Sequence, residues 1–439
     1  MIDVARFIQS VFSDHKLRAN QPIVVADIDW LIKMNALLVR TLATHSGART
    51  VDAYVKWRAV LPTLPFVSES VFPDKLEIHV SPTHVTSRLN ERWLVCLTNL
   101  LPLVPWPIAS IFLQLHDDVT GRRRKATSIA QNIVKQFSID LDRISWMDNS
   151  TRTMARKKLK HLLLLVGYPD ELMNRTQMDW VYDTLEIPSN GAFLTNMILA
   201  HQFSRRQYLD TLAQQTDRFH WFPESHPLQS NAFYTYKHNR VIVPLAILTT
   251  PVFDEEAISA LNYGSLGVFV GHELLHAFDQ QKGLTHNHLG HTVPKWQTPE
   301  SLHRYYGDVA RCFIQQYNQF EIADYRLNST MTHVEDVADN AALAVTYRAF
   351  THFSPSDELQ YPGLNMSGEQ LFFLSFAQSW CGKTRDGFET LRARHDRHSP
   401  ERFRVIGPLQ NLPEFSRAFS CPSGSYMNPK TKCSYFGLT

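Results

Sequence analysis

The chain has 439 residues, 44% apolar and 20% charged, enough to bury a sizeable core in two or three domains. With 44 basic against 42 acidic residues and a net charge of +2, it lacks the one-sided charge that nucleic-acid or anionic-membrane binding calls for. Five cysteines, none in a CxxC pair, supply no cysteine zinc site and leave at least one thiol unpaired.

In chain order, the opening "MIDVARFIQSVFSDHKLRAN" has no basic n-region followed by a long apolar run, so no signal peptide is expected. Residues 26–60 carry an apolar period that predicts helix. The segment 94–115, "LVCLTNLLPLVPWPIASIFLQL", has no charged residue and resembles a membrane span. Pro102, Pro105 and Pro107 interrupt it, which predicts two helices joined at a proline-rich turn inside the fold. The basic cluster "GRRRKAT" (121–127) reads as a solvated helix start or loop. A boundary there divides the chain into a helical lobe, 1–125, and a second domain, 126–439. Residues 126–166 again read as helical. Four N-x-S/T sequons, at Asn149, Asn174, Asn328 and Asn365, lean mildly towards a secretory route. The stretch "NAFYTYKHNRVIVPLAIL" (231–248) alternates and carries β-branched residues, as a strand does.

"VFVGHELLHAFD" (268–279) holds two histidines four apart, and on a helix these share one face. His272 and His276 could both offer a ring nitrogen to one tetrahedral Zn²⁺. Glu273, about 100° away, would flank the metal as a general base does. Leu266, Val270, Leu274 and Ala277 form an apolar stripe that would anchor the helix in a core. With 20 histidines in the chain, HExxH arises by chance roughly one time in twenty, so the spacing alone decides little. A catalytic zinc also needs a third protein ligand. A metzincin-type histidine would fall at Lys282, which closes that route. His286, His288 and His291 sit in a polar loop, where histidines more often face solvent. In "HVEDVADNAALAVTYRAF" (333–350), Glu335 and Asp339 share a helical face. One carboxylate could ligate the metal while the other accepts a ligating histidine's free ring N–H. Alone, such a pair reads as a solvated acidic helix start; beside HExxH it completes a His₂Glu site.

With these residues in place, the chain resembles the neprilysin and endothelin-converting-enzyme family of zinc endopeptidases. The zinc helix, the ExxAD segment with its following "DN" and the "NAFY" strand occur in the family's order. So do "WMDNSTRTMARKKL", "VGYPDEL", "LFFLSFAQSWCG", "HSPERFRVIGPLQNLPEFSRAFSC" and "YMNP". The resemblance implies a mainly α fold of two helical lobes enclosing a cavity, the C-terminal lobe a thermolysin-like zincin with a small β element. It implies one Zn²⁺ per chain held by His272, His276 and Glu335, with Glu273 as general base, Asp339 orienting the first histidine and His398 stabilising the oxyanion. It also implies that Arg404, Asn231 and Ala232 bind the peptide backbone. Ile247, Val268, Phe269 and Trp380 would line the pocket for the residue after the scissile bond; each also reads as ordinary core. The implied substrates are short peptides with an apolar residue at that position, and the implied location is extracellular or at the cell surface. A homodimer is compatible with the sequence.

The chain also departs from the family. Ala277 replaces a glycine usual after the second histidine, and Ala341 and Ala342 replace a glycine pair. Family ectodomains are longer, so the resemblance implies an N-terminally truncated member. Of the family's disulfides only Cys312–Cys433 keeps both ends, leaving Cys96, Cys381 and Cys421 without partners. Two functions follow: an active zinc endopeptidase, or an inactive peptidase-like peptide-binding protein or fragment.

Overall fold

The computed structural model describes residues 4–12, 25, 27–61, 63, 79–81, 84–85, 92–116, 118–211, 217–221, 225–354, 363–384 and 387–437. The described chain is mainly helical, with three small sheets. Two compact units divide it: residues 1–108 with 176–216, and residues 109–175 with 217–439.

In the first unit the helical pattern of 26–60 resolves into two helices, Ile28–Leu42 and His45–Val60. The break is chemical. The Thr44 hydroxyl accepts the Gly47 N–H (3.0 Å) and caps the second helix, as the Asp27 carboxylate caps the first through the Trp30 N–H (2.8 Å). The uncharged segment 94–115 forms helices Arg92–Leu100 and Pro105–Leu115, joined at the prolines as expected. Among the described residues no helix is long and apolar enough to cross a membrane.

In the second unit helix Val119–Asp140 starts on Asp118, whose carboxylate accepts the Gly121 N–H (3.0 Å). The basic cluster is therefore a helix start. Arg123 stacks on Tyr168 (4.9 Å) and Lys125 donates to the Ala257 carbonyl (3.0 Å), so two of its charges serve packing. Residues 125 and 126, the expected domain boundary, lie inside this helix.

Two local readings change. Leu163–Gly167, read as helix up to residue 166, is a strand parallel to Arg240–Pro244. Its apolar run cannot distinguish helix from buried strand until a partner is present. The stretch 231–248 is a hairpin, not one strand: Phe233–Thr235 pairs antiparallel with Arg240–Pro244 across a turn where Asn239 takes φ 47°. Asn tolerates that left-handed conformation better than most residues. Strand order is Leu163–Gly167, Arg240–Pro244, Phe233–Thr235, which leaves Phe233–Thr235 at an edge. The central strand is the buried one, with Val241 and Ile242 fully inaccessible.

Candidate metal centre

Helix Val268–His276 is anchored as its apolar stripe predicts, with Leu266, Leu274 and Ala277 fully buried. It packs against the long helix Ser329–Phe353. The approach is close because the contact is built from small residues. A Cβ on Gly271 would meet Thr346 Oγ1 at 2.8 Å and Ala342 at 3.3 Å. The methyl groups of Ala277, Ala341 and Ala342 are buried without displacing this contact.

That packing carries Glu335 over the two histidines. His272 Nε2 and His276 Nε2 lie 3.1 Å apart, and Glu335 Oε2 lies 3.2 Å from the first and 3.3 Å from the second. A tetrahedral zinc with bonds of about 2.0–2.1 Å spaces its ligand atoms about 3.3 Å apart. Glu335 Oε2 is buried and has no hydrogen-bond partner in line with it. Left so, such an atom is costly; a cation among the three atoms would satisfy it. Burial would raise the Glu335 carboxyl, but the two histidines hold it well below the carboxylate range. Burial would lower His272 and His276, yet the surrounding carboxylates push both up, a field that favours positive charge at this point. The donor set therefore fits zinc.

A supporting layer surrounds the three ligand atoms. Asp339 Oδ1 lies 2.7 Å from His272 Nδ1, a close charge contact that departs from hydrogen-bond alignment. Arg404 grips Asp339 with two donors, Nε and Nη2, at 2.7 Å each. Burial alone would raise Asp339, but Arg404 and His272 bring it to about 2. Glu273 also brings a carboxylate oxygen within 4.8 Å of ring nitrogens of His272 and His276, and its Oε2 accepts the Tyr234 N–H (2.8 Å) from the edge strand. His398 Nε2 stands 3.5 Å from Glu335 Oε2, with the side chain 41% exposed, so it faces the space in front of the metal position.

The remaining expected residues fall in several places. Phe269 and Trp380 pack at 5.3 Å and Arg404 lies 4.0 Å over the Trp380 ring, forming one wall. Asn231, exposed, accepts the Ala232 N–H on its own side chain (3.0 Å) as the chain enters the edge strand. Val268 is buried in the histidine helix, and Ile247 ends the short turn after the central strand. His286 packs on Tyr236 (5.8 Å) and His288 on His161 (4.7 Å), and neither joins a metal-binding group among the described residues.

Three aspartates escaped the sequence reading. Asp279 Oδ2 lies 3.5 Å from His276 Nδ1, while its Oδ1 accepts the N–H groups of Gln281, Lys282 and Gly283. Its signal was available: it stands one turn beyond His276. Asp396 accepts from His398 through Nδ1 (2.9 Å) and the backbone N–H (3.0 Å), fixing the ring; this hydrogen bond holds its carboxyl well below the usual range. Asp336, fully buried, accepts from Ser399 (2.6 Å) and Thr332 (2.7 Å) and ties the His398 segment to the long helix. Burial pushes it up to about 8.

Two profiles of peptidase family M13 match, one over residues 231–435 and one over 1–169. An endothelin-converting enzyme homolog of Locusta migratoria is 32% identical over 425 residues, covering 95% of this chain and 57% of its own. Neprilysin-3 of Drosophila melanogaster is 32% identical over 417 residues, covering 94% and 52%. The chain thus spans about half the length of the relatives it matches. A zinc metalloprotease of Mycobacterium tuberculosis, solved with an inhibitor, shares the fold at a TM-score of 0.73 with 23% identity, covering 87% of this chain and 57% of that one.

Proposed function

Since the chain belongs to peptidase family M13, we propose that it is a zinc-dependent endopeptidase that hydrolyses short peptides, favouring an apolar residue after the scissile bond. One observation carries the reading: three donor atoms converge within 3.1–3.3 Å, one of them a buried carboxylate oxygen that accepts no aligned hydrogen bond.

His272, His276 and Glu335 would hold the ion. When bound, zinc supplies a Lewis acid that acidifies water and polarises a carbonyl. Glu273 takes the proton of the attacking water and passes it to the leaving amine. His398, its ring fixed by Asp396, donates to the oxyanion that develops on the substrate carbonyl. Asp339 keeps the His272 proton on Nδ1, leaving Nε2 as the donor. Arg404 spends Nε and Nη2 on Asp339 and keeps Nη1 for a substrate carbonyl. Phe233–Thr235 lies at a sheet edge whose Tyr234 N–H is taken by Glu273, so a peptide added as a further strand would pair ahead of it, at Asn231 and Ala232. Phe269 and Trp380 give the apolar wall, and Val268 and Ile247 are its expected extension.

An oxidising compartment fits both the Cys312–Cys433 disulfide and the exposure of all four sequon asparagines, so we place the protein outside the cell or at its surface.

The test is zinc content together with cleavage of a quenched peptide, wild type beside Glu273→Gln. We expect one zinc in both proteins and a fall of about 10²–10⁴-fold in kcat for the variant. Zinc in both with cleavage in neither would leave the inactive, peptide-binding alternative. Folded protein without zinc would end the metal reading.

A further inference from the structure

Each candidate histidine ligand is backed by a carboxylate, and each carboxylate needs a holder. For Asp339 the holder is the Arg404 fork. For Asp279 the backbone supplies only half. Its Oδ1 is saturated by three N–H groups at 2.8–2.9 Å, which pins one oxygen and leaves the other to swing about it. The Oδ2 atom, which lies 3.5 Å from His276 Nδ1 in a charge contact outside hydrogen-bond alignment, accepts from the Tyr236 hydroxyl at 2.5 Å.

Tyr236 is well set for that task. Its ring lies edge-on to Tyr234 (5.0 Å) and against His286 (5.8 Å), with Lys282 Nζ 5.7 Å over its face. Burial and the Asp279 charge push its phenol well above the ordinary range, so the hydroxyl keeps its proton and donates. It also sits just past the edge strand Phe233–Thr235, whose Tyr234 N–H holds Glu273. One short segment thus touches the general-base carboxylate at one residue and the support of the second histidine two residues later.

We propose that Tyr236 is a positioning residue: its hydroxyl aims Asp279 at His276 Nδ1, fixes that histidine's tautomer, and ties metal retention to the strand that receives the peptide. The inference rests on the zinc site proposed above. Losing such an outer partner typically lowers metal affinity 10–100-fold.

Tyr236→Phe removes only the hydroxyl. Three quantities decide its role: the rate of zinc release to a chelator, kcat and KM at saturating zinc, and the melting temperature of the zinc-free protein. The expected result is 10–100-fold weaker zinc binding and a lower kcat, with KM within twofold, beside the modest fall in zinc-free melting temperature that losing one buried hydrogen bond brings. Adding Tyr236→Phe to Asp279→Asn should weaken zinc no further than Asp279→Asn alone. Zinc release equal to wild type overturns the inference, as does a zinc-free melting temperature that falls while zinc affinity holds. Additive losses in the double variant also overturn it. If wild type itself binds no zinc, the proposed function falls first and this inference with it.

Discussion

Lys158 shows how one buried charge shapes the surroundings of the site. Its ammonium is 2% exposed and donates to the carbonyls of Gly283 (2.7 Å) and His286 (2.8 Å), the turn whose Gly283 N–H holds Asp279. Burial lowers its pKa to about 7, with Asp279 pulling the other way. An unfolded lysine titrates near 10.4. Below pH 7 both states carry the proton, and the cost of burying the charge is present in full. Between about 7 and 10.4 the unfolded chain holds a proton that the folded one has released, so this group makes stability rise with pH. Lys158→Met loses that dependence and strands two carbonyl acceptors. Denaturant titrations should therefore find it less stable than wild type at both pH 7 and pH 9, by a wider margin at pH 9. An equal margin would mean that the amine is not neutralised by burial.

At the scale of elements, the candidate metal centre depends on how closely helices Val268–His276 and Ser329–Phe353 approach. A Cβ on Gly267, in the turn just before the first helix, would stand 2.8 Å from Thr346 Cγ2. Thr346 cannot retreat: it is fully buried and its hydroxyl donates to the Gly267 carbonyl (3.2 Å). Helix propensity would favour alanine at 267 by about 1 kcal/mol, so the clash works against that gain. Gly267→Ala should lower stability by about 1–3 kcal/mol. In a Thr346→Ser background, which lacks Cγ2, the same change should be neutral or stabilising. Thermal melts of the four proteins would show it, and an equal loss in both backgrounds would refute steric control. The same scale explains the misread strand. Leu163–Gly167 is specified by its pairing with Arg240–Pro244, and no pattern inside the segment encodes that partner.

For the whole molecule, the Cys312–Cys433 disulfide spans 121 residues and joins helix Arg311–Tyr317 to the C-terminal segment. The pairing is the one the family resemblance implied; Cys96, Cys381 and Cys421 are free. The C-terminal segment is also tied at the Tyr435 carbonyl, which accepts from Trp146 Nε1 (3.1 Å), and at Phe436, over which Arg348 stacks (4.3 Å). Closing so long a loop removes much entropy from the unfolded chain. Replacing both cysteines by serine should lower stability by about 2–5 kcal/mol in denaturant titrations while the folded protein still binds one zinc. Unchanged stability would mean that the tertiary contacts alone fix the segment.

Spacing within one element was enough to determine part of the centre. On a helix, four residues bring two side chains to one face, so His272 with His276 and Glu335 with Asp339 could be paired from the sequence. The proline break near 102–107 is equally local, and it too was legible. What only the tertiary structure decided is which faces meet. Gly267, Gly271 and Thr346 set the helix approach that delivers Glu335 to the histidines. The chain's return at 396–404 brings His398, Asp396 and Arg404 to them. The hairpin turn puts the Tyr236 hydroxyl on Asp279. Local sequence encodes backbone geometry and direction, whereas contacts between distant segments depend on the packing of the whole core, which no single segment contains.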